Sequence, residues 1–366
     1  ISWPIQDIYT HKAFDVFVII AHTFVMPIFF FVAGYLGRTL YFKIGFHAFV
    51  EHKLKKIILP LLAGMVTIVP LIHLSALYGR LITTSHATEP NVLKTIYDYF
   101  LSETFFSSYN SAHLWFLWYL VLFYFLTILV VCYTPRFLNT TMMRRVDNAL
   151  EHITSSALKP LVCIIPTISI LYLMRVWGPD TPTSILPEIR FILLYGLFFS
   201  IGWLLERRQE HLRNLTKYIH EYMVIAIICI PIYLTGFGLQ YQTDHPNYVM
   251  IKFITLSLYA SIMWLLFFSV IGLFVKRMNF QNTTMRYISE SSYWLYFIHV
   301  PIIIFIQILI APMVLPIFIK FGLTVVISLL LMLTSYQCLV RHTSLNTIFG
   351  SAKQKRIGNA TAADTL

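Results

Sequence analysis

Hydrophobic residues fall along this chain in nine continuous runs: near Ala13–Leu36, Ile57–Tyr78, Leu114–Tyr133, Pro160–Trp177, Phe191–Leu205, Met223–Phe237, Phe253–Val275, Ser292–Ile310 and Gly322–Val340. Polar residues gather between the runs. A hydrocarbon core of about 30 Å is crossed by about 20 apolar residues in helix. Each run therefore predicts a membrane helix, with Phe191–Leu205 and Met223–Phe237 short for the task. Membrane strands would alternate apolar and polar positions, and these runs do not. The predicted fold class is all-α, a polytopic transmembrane helix bundle.

The basic residues sharpen this picture. Arg38, Lys43, Lys53, Lys55 and Lys56 share one gap. Further groups follow at Arg136–Lys159, Arg207–Lys217, Lys276–Arg286 and Arg341–Arg356, so alternate gaps hold twenty of the 27 Lys and Arg. The positive-inside rule assigns these gaps and the C-terminus to the cytoplasm. Leu81–His113, Gly178–Arg190, Gly238–Met250 and Ala311–Phe321 then face outward. This layout starts the chain outside without a signal peptide, which predicts one further helix upstream of Ile1 and ten in all.

Composition agrees with a bilayer as the solvent. The chain is 58% hydrophobic and 12% charged, against about 25% charged in soluble domains. A net charge of +11 would suit nucleic acid, but its confinement to alternate gaps assigns it to topology, and no nucleic-acid partner is expected. Cys132, Cys163, Cys229 and Cys338 lie within or at the ends of apolar runs without metal-ligand spacing, and read as buried thiols. We expect one integral domain over residues 1–340 and a polar, fraying cytoplasmic tail over 341–366. Between the runs, Pro90 is expected to open a short amphipathic helix with Val92, Leu93, Ile96, Tyr97, Phe100 and Leu101. A solvated helix is expected between Thr134 and Lys159.

Ionisable groups inside membrane runs are costly and point to function. His22, His73, His113 and His299 qualify. Asp15 lies two turns before His22 on roughly the same helical face. His299 is followed by Pro301, which frees the carbonyl of Phe297 and is expected to open room beside the imidazole. A helix–helix hydrogen bond accounts for His22 or His299 equally well, and for His73 it is the better account. His113 heads an aromatic run with Trp115 and Trp118, which reads first as an interfacial belt. Lys53, Lys55 and Lys56 lie before Pro60 at the cytoplasmic mouth of a span. Lys53 and Lys56 share a helical face and suit a phosphorylated ligand, or plain membrane anchoring.

Four segments together resemble acyltransferase family 3, polytopic membrane enzymes that acylate sugars. They are MPIFFFVAGYLGR from Met26, HKLKKIILP from His52, HLWFLWYLVLFY from His113 and SESSYWLYFIHVPI from Ser289. The stretch AHTFVMPIFFFVAGY most resembles the branch that succinylates periplasmic glucans. The resemblance implies transfer of acetyl or succinyl from acyl-CoA, a co-substrate and not a resident cofactor, to a hydroxyl of an envelope or exported carbohydrate. It implies about ten helices, with a catalytic histidine in a first helix that nothing before Ala13 resembles. It also implies a basic Arg-x-x-Arg motif where this chain has Lys53 and Lys56, which keep the charge without the bidentate fork.

The expected site therefore has His299 or His22 as catalytic base. Lys53, Lys55 and Lys56 bind the donor, and His113, Trp115, Trp118, Tyr293, Trp294 and Tyr296 line the substrate path. No metal site is expected. The expected location is the bacterial inner membrane, with glycan-synthesis proteins as partners. Two other readings stay open: a transporter or flippase of a glycan or acyl donor, and a non-catalytic scaffold of a glycan-assembly complex. A transporter would be expected to show paired intramembrane acids or broken helices at mid-depth. Asp15 is the main acid near a run.

Overall fold

A computed structural model of the chain describes residues 3, 5, 7, 9–84, 92–103, 105, 109–133, 140–178, 180–277 and 282–350. Among the described residues the secondary structure is helical and no strand occurs. The chain divides into two compact units, one of Tyr9–Val69 with Leu93–Phe280, the other of Ile1–Ile8, Pro70–Val92 and Gln281–Leu366.

The larger unit opens with α1, Lys12–Ile44, whose first turn is capped by His11 Nδ1 accepting from Ala13 N–H at 3.2 Å. Gly45 ends it at φ 78°, a left-handed conformation that a Cβ disfavours. The chain turns there into α2, Phe46–Lys53, then a π-helical turn, Leu54–Ile58, then α3, Leu59–Thr84, of which Pro70 onward belongs to the smaller unit. There follow α4 (Val92–Leu101), α5 (Trp115–Tyr133), α6 (Thr140–Ser155), α7 (Lys159–Leu171), α8 (Ile189–Leu205), α9 (Gln209–Asn214), α10 (Ile219–Gly238) and α11 (Tyr248–Arg277). Helix α11 is the most deeply buried: Trp264 stacks on Phe198 at 4.3 Å and donates from Nε1 to Thr167 Oγ1 at 2.9 Å.

Helices α1 and α8 meet backbone to backbone. A Cβ on Gly34 would lie 2.1 Å from the Phe199 carbonyl oxygen, and one on Gly202 would lie 2.0 Å from that of Phe31. Small residues at a membrane helix interface allow this approach, where packing rather than the hydrophobic effect drives association.

The turn after α8 is fixed by charge. Arg207 grips Asp147 of α6 through two hydrogen bonds, Nε to Oδ1 at 2.8 Å and Nη2 to Oδ2 at 3.1 Å. Asp147 is buried, so Asp147→Asn should destabilise the protein by about 1–3 kcal/mol, visible as a lower Tm in detergent. Helices α6 and α7 are bent by 108° from each other. At the bend the fully buried Lys159 Nζ donates to the carbonyls of Thr154, Asn214 and Lys217 at 3.3, 3.1 and 3.5 Å. Thr154 and Asn214 lie at the C-terminal ends of α6 and α9, where a lysine offsets the partial negative charge.

The smaller unit holds α12 (Thr283–Ile310), capped by Asn282, then α13 (Ile317–Ser335), a π-helical turn at Tyr336–Val340 and α14 (Asn346–Phe349). Ile5, Ile304, Ile308 and Ala311 form its core, with Ile72 and Val300 packed against them. The buried Lys320 ties the amino-terminal segment to α13: its Nζ donates to Asp7 Oδ1 at 2.8 Å and to the Ala311 carbonyl at 2.8 Å.

All nine apolar runs meet a helix, but not all are spans by length. Among the described residues seven helices are long and apolar enough to cross a membrane, eight if the bent pair α6–α7 counts as one, and α8 is a shorter apolar helix. The run Pro160–Trp177 is helical only to Leu171. Its remainder turns under α10, where Trp177 is buried with its N–H donated to Gln240 Oε1 at 3.3 Å and its carbonyl receiving Tyr233 Oη–H at 3.3 Å. Apolarity there reflects burial of a loop, not helix. The short helix expected after Pro90 is α4, and the one expected between Thr134 and Lys159 is α6. The tail expected to fray from Arg341 is ordered through Gly350, because Phe349 buries its ring against Trp294 at 5.0 Å and Phe297 at 4.9 Å. Residues 351–366 of that tail lie outside the described residues.

Candidate functional site

The larger unit contains a cavity that takes one wall from each of five chain segments. His22, Thr23, Met26 and Pro27 come from α1, and Trp115 from α5. Leu171, Met174, Gly178, Asp180 and Thr181 come from the end of α7 and the loop after it. Phe191, Leu194 and Tyr195 come from α8, and Tyr259 and Met263 from α11. The cavity measures about 20 Å³, room for about one water or one hydroxyl group. His22 is exposed and forms part of the rim, whereas Trp115, Tyr195 and Tyr259 are buried.

The walls are stiff. Tyr195 stacks on Phe30 at 4.7 Å and lies 5.3 Å from Trp115. Thr23 donates Oγ1–H to the Ile19 carbonyl at 2.8 Å, one turn back on α1. The loop between α7 and α8 is held by hydrogen bonds from Ser111 N and Oγ to the Thr183 carbonyl, both at 2.9 Å, and from Glu188 N to Tyr119 Oη at 3.1 Å. Ser111 precedes Ala112, which takes a positive φ of 44° and is steadied by Asn110 Oδ1 accepting its N–H at 2.8 Å. Strained non-glycine backbone of this kind concentrates at functional sites, and here it turns the chain into the short 3₁₀ helix Ala112–Leu114 and delivers Trp115 to the cavity.

The sequence motifs separate in space along this frame. His22 and Trp115 share the cavity; His113 and Trp118 are not among its walls. Lys53 ends α2, and the π-helical turn after it contains Lys55 and Lys56. This turn, of a type common at functional positions, interrupts the simple helical register assumed for Lys53 and Lys56. Lys53 points at aromatic rings, its Nζ 3.8 Å from the Tyr124 centroid and 4.9 Å from that of Phe49. Tyr124 in turn donates to the Ala33 carbonyl at 2.7 Å. Lys55 pairs with Glu51 at 2.5 Å on the exposed surface, and Lys56 is half-buried. Nearby, Glu206 receives Arg38 at 3.1 Å and Thr39 Oγ1–H at 3.0 Å. Sixteen residues of α1 separate His22 from Arg38, about 24 Å along the axis.

Tyr293, Trp294, Tyr296 and His299 all belong to α12 of the other unit. His299 Nδ1 lies 2.6 Å from the Tyr296 carbonyl oxygen. A carbonyl only accepts, so Nδ1 carries the proton and Nε2 of the neutral ring does not. Trp294 donates from Nε1 to Ser335 Oγ at 3.0 Å, which joins α12 to α13. His73 lies on α3, half-buried. Among the described residues no group of three or more His, Cys, Asp or Glu gathers as a metal site.

A family model described as an acyltransferase domain matches residues 2–333. The chain belongs to this acyltransferase family. No curated protein and no solved structure matches it. The motifs at Met26, His52, His113 and Ser289 all lie within the matched region of this acyltransferase, which is an integral membrane protein by the length and apolarity of its helices.

Of the residues singled out from the sequence, His22 and Trp115 line this cavity; Asp180, Tyr195 and Tyr259 line it too and were not among them, nor was Arg190 beside Asp180. Asp180 and Arg190 were visible only as members of a connecting loop and its edge. The phenols were hidden in apolar runs, where tyrosine is ordinary. An acidic residue between two apolar runs that are joined by a short loop is the signal in the sequence that points to this cavity.

Proposed function

We propose that this acyltransferase moves an acetyl or succinyl group from acyl-CoA to a hydroxyl of an envelope or exported carbohydrate, in the manner of the glucan-succinylating branch. The observation that carries the reading is His22 at the rim of a hydroxyl-sized, aromatic-walled cavity in a member of an acyltransferase family. His22 takes the proton of the acceptor hydroxyl, and the oxygen attacks the thioester carbonyl. A C–O bond forms, the C–S bond breaks, and the CoA thiolate leaves and takes up the proton. The apolar walls exclude the water that would otherwise hydrolyse the thioester. His299 is the alternative base, with Tyr293, Trp294 and Tyr296 on its own helix proposed as an acceptor path there; His113 and Trp118 are proposed as further parts of the path in the larger unit.

The donor is proposed to hold its phosphates against Lys53, Lys55 and Lys56, with the thioester arm running along the bundle toward His22. Charge supports this, and the stacking of Lys53 on Tyr124 adds a second duty, fixing the motif to α5. Replacing Lys53 and Lys56 together by alanine should raise the KM for acyl-CoA about tenfold or more, since charge-assisted contacts to phosphate are among the stronger hydrogen bonds. An unchanged KM in steady-state kinetics removes their assigned role. We further propose the bacterial inner membrane, with the C-terminus cytoplasmic, from the alternating basic gaps, and glycan-synthesis proteins as neighbours.

The direct test supplies purified protein in lipid nanodiscs with labelled acetyl-CoA or succinyl-CoA and an envelope glycan fraction. Label entering the glycan supports the reading. Label released only as free acid argues against a carbohydrate acceptor.

A further inference from the structure

Among the described residues that line the cavity, Asp180 alone carries a formal charge. Its Oδ1 accepts the Thr181 N–H at 2.9 Å. Its Oδ2 is buried and has no hydrogen-bond partner among the described residues; the nearest cation, Arg190 Nη1, stands 3.6 Å away. Arg190 is itself buried and spends its closest contact elsewhere, Nη2 on Glu188 Oε2 at 2.5 Å, while its side chain lies over the Phe191 ring. Arg190 thus steadies Asp180 by charge without occupying the lone pairs of Oδ2.

A carboxylate only accepts hydrogen bonds, so whatever fills this position must donate one. A buried acceptor without a partner is costly, so a ligand that supplies the donor recovers that cost. The cavity has room for a hydroxyl but not for a sugar ring, so the ring must remain at the rim beside His22. An anionic ring held there would face Asp180. Arg190 and Arg175 pair with Glu188 and Asp180 and balance them overall, but of these four charges only Asp180 lines the cavity, so its carboxylate is the charge an acceptor at the rim meets first.

We propose that Asp180 is a specificity-determining residue for the acceptor, taking a hydrogen bond from a hydroxyl of a neutral sugar and turning away anionic sugars, with Arg190 as its positioning residue. This rests on the acyl-transfer reading above. The chemical step is unchanged: the hydroxyl oxygen gains the acyl group, and its proton passes through His22 to the departing thiolate.

The test compares methyl glucoside with methyl glucuronide, two acceptors of similar size that differ in one carboxylate, using labelled acetyl-CoA or succinyl-CoA as donor. Wild-type protein should favour the glucoside in kcat/KM by about 100-fold, since a like charge beside a buried carboxylate costs several tenfold factors. Asp180→Asn, which keeps the shape and removes the charge, should bring the two acceptors within about tenfold of each other. Asp180→Glu, which restores the charge, should restore the preference. A merely structural Asp180 would lower both acceptors together in both variants and leave their ratio alone, and that result overturns the proposal. A wild-type protein that acylates glucuronide as readily as glucoside also overturns it while leaving acyl transfer standing. A wild-type protein that acylates neither acceptor, nor envelope glycan, from either donor overturns the underlying acyl-transfer reading instead.

Discussion

Replacing His22 by alanine is expected to lower acyl transfer about 10²–10⁴-fold, the usual contribution of a positioned general base. The loss should appear in kcat more than in the KM for acyl-CoA, because Lys53, Lys55 and Lys56, proposed to hold the donor phosphates, are not among the walls of the His22 cavity. The fold should survive, since the His22 ring is exposed at the cavity rim and not packed in the core. Size-exclusion profiles and thermal unfolding in detergent check this independently of activity. His299→Ala is the matched comparison. If His299→Ala loses activity and His22→Ala does not, the base belongs to α12 and the cavity is not the reacting centre.

A change at Gly34 or Gly202 is expected to have the largest effect on stability. A Cβ at either position meets a backbone carbonyl oxygen, at 2.1 Å for Gly34 and 2.0 Å for Gly202. Backbone cannot swing aside as a flexible side chain can. Gly34→Val should therefore cost about 3 kcal/mol or more, at the upper end of overpacking penalties. Gly202→Val should cost a similar amount, and the double variant less than the sum, because either change already forces α1 and α8 apart. Gly322→Val is the control, since a Cβ there would meet nothing within 4 Å; its Tm should move little. Activity should fall with stability in the Gly34 and Gly202 variants, because α1 carries His22 and α8 carries Tyr195 and Arg190. Equal Tm values for all three variants would show that the α1–α8 contact is not tight.

Much of the architecture was legible because a bilayer imposes a one-dimensional code. Each apolar run met a helix, since a backbone in hydrocarbon must satisfy its own hydrogen bonds. The reading failed where apolar residues served a different end. Met174 and Trp177 continue a hydrophobic run but belong to a loop that lines the cavity and packs under α10, so composition overstated the length of that helix. Phe349 failed in the other direction. One aromatic residue in a polar segment carries little weight in a window average, yet it was enough to seat the start of the tail against Trp294 and Phe297.

The candidate site was legible only in part, for a similar reason. His22 drew attention as an ionisable group in an apolar run, and Trp115 through the aromatic run after His113. Lys53 also drew attention, as a cation at the mouth of a span, but its surroundings could not be read from spacing: the π-helical turn at Leu54–Ile58 follows it, and its Nζ lies over the Tyr124 ring.

By itself the sequence determined the helical membrane class, the approximate position of each helix and the family, because these follow from run length, charge alternation and local motifs. Only the tertiary structure decided that His22, Trp115, Asp180, Tyr195 and Tyr259 surround one cavity. Those five residues come from five separate segments, and their convergence depends on non-local packing: the glycine contact of α1 with α8, the buried α11, and a loop fastened by Ser111, Tyr119 and Arg190. Local periodicity sets which face of a helix is apolar, but it holds no information on which distant segment that face will meet.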